Sequence, residues 1–182
     1  MRYKEQFDNN VNNWEIYNMT MASARIADGK YYVENKTGTR EHIVLYSHGL
    51  PSGERFTIEI SIKAMKAVGN DNSYGSVFGA ADASNNFIFQ IVAEETYSIR
   101  KHTRGISEEL AGGKLEGTAF RKDSFNILIV EKKGSLLRFY INDLYIDEVS
   151  GISLFGTKMG FLVDGKSEIA VDHTRTQVWF EQ

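Results

Sequence analysis

The side chains that could do chemistry are few in this sequence, and they are scattered. Four histidines, His42, His48, His102 and His173, stand singly, without the close spacing that zinc ligation uses. By that spacing they are surface or turn residues. The chain has no cysteine, which removes thiolate metal sites, disulfides and cysteine nucleophiles together. No Gly-x-Ser-x-Gly turn presents a serine either. Among carboxylates, Glu59 is the one candidate for general acid chemistry. Between Glu54 and Lys66, Phe56, Ile58, Ile60 and Ile62 alternate with Thr57, Glu59, Ser61 and Lys63, so Glu59 sits on the polar face of a strand with Thr57 and Ser61 as neighbours. It would need a partner from elsewhere, such as Glu131 or Asp147; without one it belongs to a solvated face. Asp8 to Asn10, Asn70 to Asn72 and Asp82 to Asn86 gather oxygen atoms that could hold calcium, although turn formation accounts for the same residues with no ion. No cofactor is expected.

A second set of polar residues is defined by alternation. If Phe87, Phe89, Ile91, Tyr97 and Ile99 point into a core, then Gln90, Ser98, Arg100 and His102 point to the opposite side of their strands. Arg138 and Tyr140 share an outward face in the same way, opposite Leu137, Phe139 and Ile141.

Positioning these residues requires strands. Phe125 to Gly151 reads as three antiparallel strands with both turns visible: Asn126 to Lys132, a glycine turn at Lys133-Gly134-Ser135, Leu136 to Ile141, the pair Asn142-Asp143, and Tyr145 to Val149. Upstream, Asp28-Gly29 marks a hairpin and Ile43 to Ser47 a short strand. A loop is expected between Ala67 and Ser73, before Tyr74 to Ala81. Asn86 to Val92 and Thr96 to His102 form another meander around Glu94-Glu95. Ser107 to Leu110 could form one helical turn, ended by Gly112-Gly113. Lys158 to Val163 and Glu168 to Phe180 read as a last hairpin about Asp164-Gly165. Near the start, Phe7 and Trp14 bracket an Asn-rich stretch and anchor an irregular loop. This pattern predicts about twelve to fourteen strands, an all-β chain with no internal repeat.

A chain of 182 residues with 42% hydrophobic and 12% aromatic content is expected to fold as one domain, residues 1–182. Its net charge of −3, with both signs interspersed, leaves no basic stripe to track phosphates, so nucleic acid is excluded as a partner. The opening stretch has no apolar run, and no segment approaches the ~18 apolar residues of a membrane span, so no membrane insertion is expected. The expectation is a soluble protein, intracellular or, if a leader has been removed, outside the cytoplasm.

Three stretches together resemble the concanavalin A-like lectin/glucanase superfamily, in particular its laminin-G-like and bacterial glycan-associated branches. They are Phe7-Asp8 with Trp14; Tyr74 to Phe78 leading through Asn86 to Phe89 into Tyr97 to Lys101; and Asn126 to Val130 leading through Gly134 to Phe139 to Asn142. The resemblance implies a jelly-roll β-sandwich of two antiparallel sheets. Hydrolases of that superfamily carry paired carboxylates on one strand. Here the strand resembling theirs has only Glu59, so an efficient hydrolase is not expected. The function so implied is a non-catalytic, lectin-like carbohydrate-binding module. Its concave face would carry Glu59, Gln90, Arg100, His102, Arg138 and Tyr140, and its ligand would be an oligo- or polysaccharide. Two alternatives stand beside it: a glycoside hydrolase using Glu59 and an unrecognised partner, and a laminin-G-like domain that binds protein.

Overall fold

The computed structural model describes residues 2–46 and 55–179, with residues 68–71 as backbone only. His48, Pro51 and the last strand residue expected, Phe180, lie outside the described residues. Thirteen strands follow one another: β1 (Arg2–Glu5), β2 (Tyr17–Asn18), β3 (Ala22–Ala27), β4 (Lys30–Asn35), β5 (His42–Tyr46), β6 (Arg55–Asp82), β7 (Asn85–Val92), β8 (Thr96–Thr103), β9 (Ile106–Lys114), β10 (Asn126–Lys133), β11 (Leu136–Ile141), β12 (Leu144–Val149) and β13 (Lys158–Trp179). All pairings are antiparallel. Among the described residues no helix is long and apolar enough to cross a membrane.

Two long strands organise the rest. β6 and β13 pair along almost their whole length, and each passes from one layer of a sandwich into the other. The first half of β6 and the second half of β13 lie in a layer that continues on one side through β10, β11 and β12. On the other side it continues through β4, β3 and β2, with β1 alongside the end of β13. The second half of β6 and the first half of β13 lie in the other layer, flanked by β7, β8 and β9 on one side and by β5 on the other. The layers face each other through Phe139, which meets Phe89 edge-on at 5.3 Å and Phe78 at 6.2 Å. Tyr97 on β8 also donates to Asp147 of β12 at 3.2 Å.

This arrangement corrects three sequence expectations. Residues 67–73 do not form a loop between strands, and Asp164-Gly165 is not a hairpin turn. The two irregular points lie opposite each other: Asp164 pairs with Ser73 and Lys166 with Val68, so β6 accommodates residues 69–72 where β13 has only Gly165, at φ +70°. Glycine and asparagine mark a kink in a continuous ribbon here, because a bulge uses the same backbone freedom as a turn. Ser107 to Leu110 is likewise strand, not helix, because β9 completes the ladder of β8.

The Asn-rich opening loop closes the bottom of the core, as expected from its aromatics. Phe7 and Trp14 are buried, and Trp14 stacks on Tyr46 at 4.5 Å and on Phe161 at 5.3 Å. What holds the loop was not visible beforehand. Glu5 is buried and accepts hydrogen bonds from the backbone N–H of Gln6 and Phe7 at 2.9 and 2.8 Å, from Asn12 Nδ2 at 2.5 Å and from Trp14 Nε1 at 3.1 Å. These bonds allow Phe7 to adopt φ +57°, a left-handed conformation that a bulky side chain rarely takes.

Candidate functional site

The six residues expected on one surface fall on two. Cross-strand pairing puts Gln90 beside Ser98, Ile88 beside Arg100 and Asn86 beside His102, all on the side of β7 and β8 away from Phe87, Phe89 and Ile91. Glu59, Arg138 and Tyr140 lie on the outer side of the other layer. Glu59 pairs with Ile129, which pairs with Tyr140, while Phe56, Ile58, Ile60 and Phe139 face the core between. The two groups therefore occupy opposite outer faces of the sandwich. Alternation gave each residue's direction correctly but could not tell which strands share a layer, and β6 belongs to both.

The outer-layer trio is occupied with its neighbours. Glu59 Oε1 meets His173 Nε2 and Arg175 at 3.0 Å each, and His173 Nδ1 lies 3.0 Å from Asp172. Tyr140 donates to Glu131 at 3.1 Å, and the exposed Arg138 pairs with Glu148 at 3.3 Å. Glu131, suggested as a carboxylate partner for Glu59, is thus engaged by Tyr140, and Asp147 by Tyr97.

The β7–β9 face is recessed, and one contact shows why. Glu41, just before β5, forms an ion pair with Arg100 of β8, although β13, β6 and β7 lie between those strands in the layer. A side chain can reach across three intervening strands only if the layer curls toward itself, so this is the concave surface. Arg100 also donates to Gln90 Oε1 at 3.2 Å, and Gln90 accepts from Ser73 at 3.3 Å. Ser98 donates to Glu109 of β9 at 2.8 Å. Below this network Val77, Ile88 and Leu162 form a separate apolar cluster with no exposed surface, bordered by Ile43 and Leu45. A groove of about 570 Å³ opens beside it, lined by Gln90, Ser98, Arg100, Glu109 and Lys114 and flanked by Gly112 and Gly113. Tyr97 is the aromatic residue of its lining, only 9% exposed and with its hydroxyl directed at Asp147.

Among the described residues, three buried polar atoms on this face have no hydrogen-bond partner: Asn86 Oδ1, Arg100 Nε and His102 Nε2. His102 is only 5% exposed, so the surface expectation fails for it; its Nε2 stands 3.8 Å from Glu41 Oε2, beyond hydrogen-bond reach. Sequence reasoning missed Glu41 and Glu109. Glu109 would have followed from reading residues 106–114 as strand, since alternation aims it where Arg100 points. Nothing local could have revealed Glu41, because its contact depends on the curvature of a whole layer.

Of the three Asp and Asn clusters, those at Asp8 to Asn10 and Asp82 to Asn86 are engaged in turn formation, and Asn70 to Asn72 lies within β6. Asp82 Oδ1 accepts from the backbone N–H of Ser84 and Asn85 at 2.8 and 2.9 Å, and Asn10 exchanges two hydrogen bonds with the backbone of Trp14. Among the described residues no group of three or more His, Cys, Asp or Glu side chains is arranged to hold a metal ion.

Burial pushes the pKa of His102 below its ordinary 6.5; Glu41 acts against this and Arg100 with it. Burial lowers His42 too, against the pull of Glu15, where its ring meets the Tyr17 hydroxyl. The unfolded chain then takes up these protons near pH 6.5, while the folded chain holds them only at lower pH. Stability is therefore complete above about pH 6.5 and falls as the pH drops through it. The thermal midpoint should be lower at about pH 5 than at about pH 7.5, and His102→Asn should narrow that gap. A gap unchanged by the substitution would separate His102 from the effect.

Comparison with known proteins places the architecture. No protein-family model and no curated protein sequence matches the chain. Among solved structures, a protein of unknown function with a galectin-like fold from Bacillus subtilis aligns over 99% of this chain and 96% of its own, with TM-score 0.73 at 16% identity. The catalytic domain of an endo-1,3-beta-glucanase (laminarinase) from Thermotoga petrophila aligns over 96% and 95%, with TM-score 0.65 at 13% identity. The carbohydrate binding module CBM66 from Bacillus subtilis aligns over 88% and 89%, with TM-score 0.55 at 15% identity. The chain thus has the all-β jelly-roll sandwich fold of these structures, as its motifs implied. At these identities the likeness is one of fold.

Proposed function

We propose that this protein is a non-catalytic carbohydrate-binding module and that its ligand occupies the recessed face of the β7–β9 layer. The observation that carries this reading is the groove of about 570 Å³, where Gln90, Ser98, Arg100, Glu109 and Lys114 present amide, hydroxyl and charged groups to one open cleft. Sugars are recognised through such groups reaching hydroxyls. Solved structures of the same fold include a carbohydrate binding module and a glucanase, which supports the ligand class by analogy. A hydrolytic role would need two carboxylates flanking the bond. The lining of the groove offers one, Glu109, bonded to Ser98.

Shallow polar contacts exchange protein hydrogen bonds for water ones, so a dissociation constant on the order of 10 μM to 1 mM is expected. Calorimetric titration across plant, host and bacterial polysaccharides should find such a ligand. Gln90→Ala and Lys114→Ala should each weaken it by about 1 kcal/mol. Tyr140→Ala, on the opposite face, should leave affinity unchanged. Absence of binding at millimolar glycan, turnover of the same panel, or loss of binding on Tyr140→Ala with none on Gln90→Ala would overturn the proposal.

A further inference from the structure

We propose that the ligand of this recess is an acidic saccharide, carrying uronate-type carboxylates, and that Glu41 holds the carboxylate position until such a ligand displaces it. This rests on the carbohydrate reading above and narrows it. Three observations lead to it. First, the ion pair of Glu41 with Arg100 spans the concave face, over the fully buried Val77, Ile88 and Leu162, against which Ile43 and Leu45 pack. A chain entering the recess beyond its open groove must break that pair.

Second, breaking it is costly for a neutral ligand and not for an anionic one. Arg100 is only 18% exposed in its side chain, and a hydroxyl cannot replace the charge it would lose. A ligand carboxylate can take the guanidinium in the same way, while Glu41, which belongs to no strand, turns out to water. The exchange conserves the number of charge-assisted hydrogen bonds, and the desolvation of Arg100 has already been met in folding. Third, polar groups are left over. Among the described residues Arg100 Nε and His102 Nε2 are buried and unpartnered, and Glu41 is too far from His102 to hydrogen-bond it. A ring-borne carboxylate with adjacent hydroxyls offers an acceptor for Arg100 and, in a hydroxyl, a partner for either tautomer of His102. With Glu41 displaced, Arg100 and Lys114 outnumber Glu109 on this face. The small exposure of Tyr97, the aromatic residue of the groove, fits recognition by charge, since stacking then contributes little.

The test compares polygalacturonate, alginate and hyaluronan oligosaccharides with their carboxyl-reduced neutral counterparts, by calorimetry at low and raised salt. The acidic forms should bind at least about tenfold tighter, roughly the worth of one charge-assisted hydrogen bond. Their affinity should fall as salt rises. Glu41→Gln should tighten the acidic ligands several-fold and leave neutral ones unchanged; Arg100→Gln should erase the preference. Equal or better binding of the neutral forms overturns this inference and leaves the carbohydrate reading standing. So does a preference that Glu41→Gln and Arg100→Gln both leave intact. Should Glu41→Gln fail to fold, the comparison in the unaltered protein decides by itself. Absence of binding by every glycan, acidic and neutral, removes both readings.

Discussion

Glu5→Ala is expected to lower the unfolding free energy by about 4 kcal/mol, more than any surface ion pair in this protein could account for. The carboxylate is buried, and it is the common acceptor for two backbone N–H groups, the Asn12 amide and the Trp14 indole. Alanine would leave those donors without an acceptor, those of Phe7 and Trp14 in buried positions, at about 1 to 3 kcal/mol for each one not satisfied by rearrangement or water. The loop would then release Trp14 from its stack with Tyr46 and Phe161, and Phe7 from its stack with Tyr31 at 5.4 Å. Glu5→Gln keeps the size and one acceptor oxygen and should cost less than half as much. Denaturant unfolding of both variants, followed by tryptophan fluorescence, measures the difference. A loss below about 1 kcal/mol for Glu5→Ala would mean that the loop is held by its aromatics alone.

The second large effect is expected at Gly160 of β13. A Cβ placed there would lie 1.8 Å from the carbonyl oxygen of Val44 and 2.8 Å from its carbon, both backbone atoms of β5, so no side chain can rotate out of the way. Gly160→Ala should therefore cost about 3 kcal/mol or more by forcing β5 away from β13. The consequence reaches the recess, because Glu41 enters directly ahead of β5. The variant's thermal midpoint tests the stability effect, and a midpoint within about 2 °C of the parent's would show that β5 yields without loss.

How much of this was legible in the sequence depended on distance along the chain. The meander of β10, β11 and β12 was readable to within a residue or so, because its turns are local: Gly134 and Asn142-Asp143 all have positive φ where reversal demands it. The same local logic misread Asn70 to Asn72 and Asp164-Gly165, since a turn and a bulge draw on one set of residues, and only pairing at long range separates them. At the site, Gln90, Arg100 and His102 were placed together correctly from alternation around Phe87, Phe89 and Ile99. Grouping them with Glu59, Arg138 and Tyr140 failed because face and layer are different properties: period-2 spacing fixes the first, and strand order fixes the second. Glu5 and Glu41 look like ordinary solvated acids in the sequence. Their partners are set by a loop closure and by curvature.

The continuous ribbon of β6 and β13 also bears on how the chain must assemble. Ile60 pairs with Thr174, so the strands that hold both layers together are joined by more than a hundred residues. Closing a segment of that length costs about 4 kcal/mol in chain entropy beyond a fixed term, before most of the pairing can repay it. The intervening hairpins can form early, but neither layer is complete until the chain's last strand arrives. Neither can the layers come apart one at a time, because each shares both of its central strands with the other. Folding is slow and late-closing by topology, and unfolding is a single event.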